Sequence, residues 1–199
     1  MKITEEKLLD VITGSLKEEH ASILKLLSGH QYNSFDGGIF YLPETVLVFL
    51  IYKKLLKSKS FRGHSIIWEN SYIQSKRLKK RHKYADLVIS DIKSKQWDYI
   101  EFGMYSPDKV CGDYKKLLDY KDAEVADKYI VIFRFRTKNQ KHLDDLIEQT
   151  LHKKKKRAWK KVTNSKSIRW RNFPKFDESG DNKIGEETAW FEISIFRVG

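Results

Sequence analysis

The chain has 199 residues, of which 40% are hydrophobic and 33% charged, a length and composition typical of one compact globular domain. Lys and Arg number 39 against 27 Asp and Glu, and the formal net charge of +12 favours a polyanionic partner: nucleic acid first, an anionic membrane surface as the alternative. The single cysteine, Cys111, excludes an intrachain disulfide and a cysteine-based zinc site, while a charged N-terminus and short apolar runs indicate a cytoplasmic protein without a membrane span.

The first part of the chain predicts two helices. Leu and Ile recur near helical spacing over residues 4–28, which predicts an amphipathic N-terminal helix. A second helix is predicted from Pro43, a favoured first-turn residue, to about Lys57. Because this second segment is apolar on most sides, we expect it to be buried against a sheet.

Four strand candidates rich in β-branched and aromatic residues follow, at residues 65–72, 84–90, 97–105 and 128–136. The short break at residues 91–96 predicts a hairpin between the second and third strands. A helix predicted over about residues 109–120 separates the third strand from the fourth. This β-helix-β order predicts that these two strands are parallel.

The C-terminal part predicts a long helix over about residues 140–162, followed by a pair of strands at residues 168–173 and 188–198. Neither a repeat nor a clear linker interrupts the chain. We therefore expect one domain over residues 1–199.

Two acidic residues on successive strands form the candidate chemical centre. Alternate residues of a strand share a face, so Asp86 in YADLVIS and Glu101 in WDYIEFGMY can meet at one edge of the sheet. Two adjacent carboxylates repel unless a cation lies between them, and hard oxygen ligands suit Mg²⁺ or Mn²⁺. The alternative is that both are ordinary surface acids at strand ends.

The order helix, strand, Asp-bearing strand, Glu-bearing strand, helix, strand resembles the core of the PD-(D/E)xK nuclease superfamily. The resemblance covers about residues 43–136, half the chain, which would be a nuclease-like core. It rests on Asp86, Glu101 and the following helix DKVCGDYKKLLDYKD. It implies an α/β fold with a restriction-endonuclease-like mixed β-sheet core flanked by helices. It also implies Mg²⁺ (or Mn²⁺) held by Asp86 and Glu101. Glu44 would be a further acid on an early helix, or simply a favourable first-turn charge.

The sequence departs from this superfamily at one position. The motif lysine should stand two residues after the second acid, where this chain has Gly103. The helix that follows offers replacements, with Lys116 as the first choice and Lys109 as the second, and Lys83 is a third. Each of these is otherwise a surface lysine. A lysine ammonium within about 5 Å of the two acids would favour an enzyme.

Two basic segments predict contacts with a phosphate backbone. Lys76–Lys83 directly precedes the Asp86 strand, and Lys153–Lys161 lies at the end of the predicted long helix, where cations also favour the helix dipole. Arg134 and Arg136 would extend the positive surface. The candidate nucleic-acid-binding residues are Lys76, Arg77, Lys79, Lys80, Arg81, Lys83, Lys153, Lys154, Lys156, Arg157 and Lys160.

Two functions are open at this point. The first is a metal-dependent DNA endonuclease of a restriction, defence or mobile-element type, with Asp86, Glu101, Lys116 and Glu44 as catalytic residues. Cleavage of both strands of a duplex would imply a homodimer, since each strand needs its own site. The second is a catalytically inactive protein on a nuclease fold, which binds nucleic acid or serves as a subunit of a complex.

Overall fold

The computed structural model describes residues 4–27, 38–71, 84–94, 96–119, 125–153, 159–160, 165–176 and 183–198.

Two helices lie in the N-terminal part, as the sequence predicts. Helix α1 spans Glu5–Leu27 and helix α2 spans Glu44–Lys57. Acidic residues in the first turn and basic residues in the last turn of each helix complement the helix dipole. Short 3-10 turns at Gly38–Tyr41 and Lys59–Phe61 lie on either side of α2.

The described residues form seven strands: β1 His64–Ser71, β2 Tyr84–Asp91, β3 Gln96–Met104, β4 Val125–Thr137, β5 Trp159–Lys160, β6 Ser165–Phe176 and β7 Lys183–Val198. They make one mixed sheet in the order β1-β2-β3-β4-β7, with β5 and β6 both paired to β7. Neighbours are antiparallel except for β3 and β4, which are parallel. The predicted hairpin and the predicted parallel pair are therefore confirmed.

Two further helices connect these strands. Helix α3, Pro107–Leu118, is capped by the hydroxyl of Ser106, which accepts a hydrogen bond from the Lys109 N–H at 3.1 Å. Helix α4, Leu143–Lys153, is shorter than the sequence predicts. Part of the predicted helix is instead strand β5, which pairs with the end of β7, so a tertiary strand pairing replaces the local helical pattern there.

The helices cover both faces of the sheet and give three layers. On one face α1 and α2 pack against alternate strand residues such as Ile100, Phe102 and Phe133. On the other, called here the α3–α4 face, helices α3 and α4 pack against Tyr99 and Ile132. Among the helices that the structure describes, none combines the length and apolar character needed to cross a bilayer.

Candidate active site

The two predicted acids lie on neighbouring strands of the mixed sheet. The register pairs Val88 with Tyr99 and Leu87 with Ile100, so Asp86 and Glu101 come at the next position of each strand. Val88 and Tyr99 both belong to the core beneath α3 and α4. Because residues alternate along a strand, Asp86 and Glu101 share that α3–α4 face.

The sheet opens into a fork beside these acids. The pairing of β2 with β3 ends at Leu87–Ile100, although β2 continues to Tyr84 in its pairing with β1. Two β3 amides beyond that point must find other acceptors. In the fork between β2 and β3, side chains rather than the backbone carbonyls of β2 must therefore accept the hydrogen bonds of these amides.

Carboxylates fill this fork. Asp86 Oδ2 accepts a hydrogen bond from the Phe102 N–H at 2.7 Å, and Glu44 Oε2 accepts one from the Met104 N–H at 2.9 Å. Glu44 is the first residue of α2, so the start of that helix is tied to the end of β3. Glu44, the predicted third acid, thus reaches the same strand end as Asp86. These two hydrogen bonds use one oxygen of each carboxylate and do not involve Asp86 Oδ1 or Glu44 Oε1.

Helix α3 brings two lysines to these acids. Lys116 Nζ lies 2.7 Å from Glu101 Oε2, and the Glu101 side chain is only 1% exposed. Lys109 Nζ lies 3.5 Å from Glu44 Oε1 and 3.3 Å from Asp113 Oδ2. The two lysines that the sequence favoured as replacements are both at the candidate site, whereas Lys83 lies outside the described residues.

Lys109 also explains the glycine in the motif position. A Cβ atom placed on Gly103 would lie 2.4 Å from Lys109 Cε and 2.8 Å from Lys109 Cγ, far inside van der Waals contact. The aliphatic part of Lys109 therefore runs directly across Gly103. The space that a side chain at position 103 would occupy is filled by the side chain of Lys109 from helix α3.

The electrostatics of the cluster follow from burial and close charges. Burial raises the pKa of the Asp113 carboxyl to about 6, although Lys109 and Lys116 oppose this shift. For Lys109, burial acts to lower the pKa, but the carboxylates of Asp113, Glu44 and Asp86 outweigh it and the net pKa is raised. These mutual effects indicate that Asp86 lies close to both α3 residues.

The donor chemistry of the site fits a hard divalent cation. Its four carboxylates, those of Glu44, Asp86, Glu101 and Asp113, face two ammonium groups, those of Lys109 and Lys116, and leave a formal charge of −2. Oxygen ligands of this kind suit Mg²⁺ or Mn²⁺. As the side chains stand, no three His, Cys, Asp or Glu groups of the described residues converge tightly enough to hold a metal.

A second charged cluster, which the sequence reasoning missed, lies farther along the same face. Arg136 Nε donates to Glu192 Oε1 at 2.7 Å, and the Leu143 N–H donates to Glu192 Oε2 at 3.0 Å. The prediction that Arg136 extends the positive field along the fourth strand is wrong, because Arg136 is buried and its charge is compensated by this acid. No local pattern marks Glu192, since its partners come from another strand and a helix start.

The two predicted basic segments lie mostly outside the described residues. Most of the candidate nucleic-acid-binding residues lie outside the described residues, namely Lys76, Arg77, Lys79, Lys80, Arg81, Lys83, Lys154, Lys156 and Arg157. Lys153 ends α4 and Lys160 ends β5, and only their backbones are described. The prediction that these segments bind a phosphate backbone stays a prediction.

Comparison with known proteins gives no assignment, since no protein-family model, no curated protein and no solved structure matches the chain.

Proposed function

We propose that this chain is a metal-dependent DNA endonuclease built on a restriction-endonuclease-like core. The observation that carries the proposal is the fork between β2 and β3, where Asp86, Glu44 and the nearby Glu101 meet two lysines of α3. The strand and helix order behind the resemblance is also present around this fork. Titratable groups of opposite charge at one sheet end are typical of a catalytic centre.

The acids are the ligands in this proposal. Asp86 and Glu101 would hold Mg²⁺ or Mn²⁺, and Glu44 would add its second oxygen or orient a ligand. Such an ion supplies activation of water and stabilisation of charge on the phosphate. The backbone amides of Phe102 and Met104 orient one oxygen each of Asp86 and Glu44, and binding of the ion would bring the acids of the site closer together.

One lysine of α3 would stabilise negative charge on the scissile phosphate, and the contacts support Lys109 in this role rather than Lys116, the first choice from the sequence. An ammonium group lies within the distance that favours an enzyme, since Lys116 Nζ is 2.7 Å from Glu101. Lys109 is the geometric replacement for the missing motif lysine, because its side chain crosses Gly103. In the proposed site Lys109 faces the phosphate while Lys116 holds the buried Glu101 in place.

A specific observation also favours the second function, an inactive nucleic-acid-binding or subunit protein. Both ammonium groups already form ion pairs with acids of the site. In an inactive descendant these pairs would be a permanent replacement for the metal. The two functions differ in whether a divalent ion can displace the lysines from the carboxylates, and this can be measured.

The deciding experiment combines cleavage with binding. Supercoiled plasmid and single-stranded DNA are incubated with the native chain in Mg²⁺ or Mn²⁺, and with the variants Asp86→Asn and Glu101→Gln. We expect each variant to abolish cleavage while DNA binding survives or tightens, because each removes a negative charge that the metal needs and that repels phosphate. Asp145→Asn, at an exposed acid of α4, is the matched control and should cleave normally.

The lysines are tested in the same assay. Lys109→Ala should lower the cleavage rate by about 10²–10³-fold, as expected for the loss of one preorganised charge stabiliser. Cleavage by the native chain that survives Asp86→Asn would contradict the proposed site. A chain that binds DNA but cleaves with neither ion would establish the second function. For an active chain, sedimentation at working concentration tests the homodimer that duplex cleavage implies.

A further inference from the structure

Part of the α3–α4 face of the sheet carries a row of arginine and tryptophan beyond the start of α4. Arg136 on β4 pairs in register with Trp190 on β7, and Trp190 pairs with Arg169 on β6. Residues directly paired across strands project to the same face. The three side chains therefore form a continuous row across three neighbouring strands.

The indole of Trp190 organises this row. The Arg136 guanidinium carbon lies 4.4 Å from the centroid of the Trp190 ring, and that of Arg169 lies 6.0 Å away. Both distances are in the range of cation–π interactions. Arg136 is buried and its charge is offset by Glu192, whereas Arg169 is exposed. The cation that this row presents to solvent is therefore Arg169.

A cleft of about 260 Å³ opens beside the row, between the start of α4 and strand β6. Two acids line it. Glu192 accepts from Arg136 and the Leu143 N–H and lies 3.1 Å from His142 Nδ1, so the charge of Glu192 is compensated, and Asp144 accepts a hydrogen bond from the Ser194 hydroxyl. Lys166, two serine hydroxyls and the Trp190 indole also line the cleft. The residues that matter here are Arg136, His142, Ser165, Ser167, Trp190 and Glu192.

The row lies on the same face of the sheet as the candidate active site, and between them lie Tyr105 and Arg134, which hydrogen-bond to α4 and to the turn before it. Tyr105 directly follows β3, and the Arg134 guanidinium carbon lies 5.8 Å from the centroid of its ring. Ile132, Arg134 and Arg136 occupy every second position of β4, so both arginines lie on the same face as Ile132, which belongs to the core beneath α3 and α4. From β3 to β6 the sheet advances three strand spacings, or about 14 Å. A strand of nucleic acid at the candidate site can thus extend along this row.

We propose that Arg136, Trp190 and Arg169, called here the arginine–aromatic row, bind the single-stranded part of a nucleic acid next to the candidate site. The inference rests on the proposed function and names the surface that its substrate occupies. Arg169 binds a phosphate, and the indole of Trp190 contacts a base. Alternating guanidinium and aromatic groups match the alternating phosphates and bases of a single strand, whereas an acidic peptide has no counterpart for the indole.

Binding is measured by the fluorescence anisotropy of a labelled single-stranded oligonucleotide of mixed sequence, in EDTA and over a series of salt concentrations. Arg169→Gln should weaken binding and flatten the log–log salt slope by about 0.7, the value for one phosphate contact on a single strand. Trp190→Leu should weaken binding by about fivefold or more with the slope unchanged, because stacking releases no counterions. If Trp190 and Arg169 only stabilised the fold, the two variants would not differ in this way, with a flatter salt slope for Arg169→Gln and an unchanged slope for Trp190→Leu.

Arg62→Gln is the matched control. Arg62 is an exposed arginine just before β1, at the opposite end of the sheet, and its variant should bind as the native chain does. Heparin, a polyanion without bases, gives a second control: Trp190→Leu should leave heparin binding unchanged. Should Trp190→Leu unfold in a thermal melt, Trp190→Phe and the exposed Arg169→Gln still test the row.

Native affinity and slope in both Arg169→Gln and Trp190→Leu would overturn the row, and Asp86-dependent cleavage would then leave the proposed function intact. Equal losses on heparin and on the oligonucleotide would overturn the base contact. A chain that shows the two separate effects yet never cleaves would support the row and overturn the nuclease. Absence of binding to the oligonucleotide at low salt would overturn the row alone, because cleavage of supercoiled plasmid tests the proposed function separately.

Discussion

The position of Lys109 across Gly103 can be tested by adding one methyl group. Gly103→Ala places a Cβ at 2.4 Å from Lys109 Cε, so the lysine must leave its path along β3. Lys109 then loses its ion pairs with Glu44 and Asp113. The backbone at 103 is ordinary strand, so alanine itself introduces no backbone strain.

The size and sign of the effect follow from the contacts. Replacing a strand glycine by alanine stabilises by about 0.5–1 kcal/mol when the space is open. Against this, two half-buried ion pairs contribute about 0.5 kcal/mol each. The buried Asp113 carboxylate, left without its cation, costs about 1–3 kcal/mol. We therefore expect Gly103→Ala to destabilise the native chain by about 1–2 kcal/mol, but to stabilise the Lys109→Ala variant.

The assay is urea unfolding of four proteins at pH 7.5: the native chain, Gly103→Ala, Lys109→Ala and the double variant. The expected coupling energy between the two substitutions is about 2 kcal/mol, and it needs no nuclease activity to be measured. An alanine effect of the same sign and size in both backgrounds would refute the inferred path of Lys109. Ile92→Ala, at an exposed residue of the β2–β3 turn, controls for nonspecific effects of alanine.

Three further predictions concern buried titratable groups. Burial raises the pKa of Asp113 from 3.8 in the unfolded chain to about 6 in the folded protein. The free energy of unfolding should therefore fall by about 3 kcal/mol as the pH rises through this interval. Urea unfolding of the native chain and of Asp113→Asn over this pH range isolates the contribution of Asp113. Burial lowers the pKa of His20, so as the pH falls the unfolded chain binds a proton at this residue before the folded protein does. The free energy of unfolding should therefore decrease below pH 6.5. This decrease should be absent in His20→Phe, and an equal decrease in that variant would refute the role of His20. Lys116→Met removes the cation beside the 1% exposed Glu101 and should lower stability by about 2–4 kcal/mol, whereas the conservative Lys116→Arg should retain most of it in thermal unfolding.

Much of the fold could be predicted because its signals are local. The apolar residues of α1 recur at helical spacing, and the strands around Asp86 and Glu101 are rich in β-branched and aromatic residues. The short hairpin between these two strands fixes them as neighbours, and period-two alternation fixes their shared face. The pairing of the two candidate acids therefore followed from the sequence.

The extent of α4 could not be predicted from the same kind of signal. The charge pattern is that of a helix through Lys153 and beyond, yet Trp159–Lys160 pairs with the end of β7. The partner of this pair lies almost 40 residues away in the chain, and its backbone hydrogen bonds are invisible to a local pattern. Glu192 was missed for the same reason, because Arg136 and Leu143 come from distant elements.

The sequence by itself determined the chemical inventory of this protein: its excess of positive charge, the two acids on successive strands, the glycine at the motif position and the lysines on the next helix. Only the tertiary structure decided how these groups meet. It split β2 from β3 so that Asp86 and Glu44 bind the freed amides, and it laid Lys109 across Gly103. The physical reason is that residue type and periodicity are local properties of the chain. The path of a long side chain such as Lys109 depends instead on the free space beside a neighbouring element, here the space above Gly103 on β3.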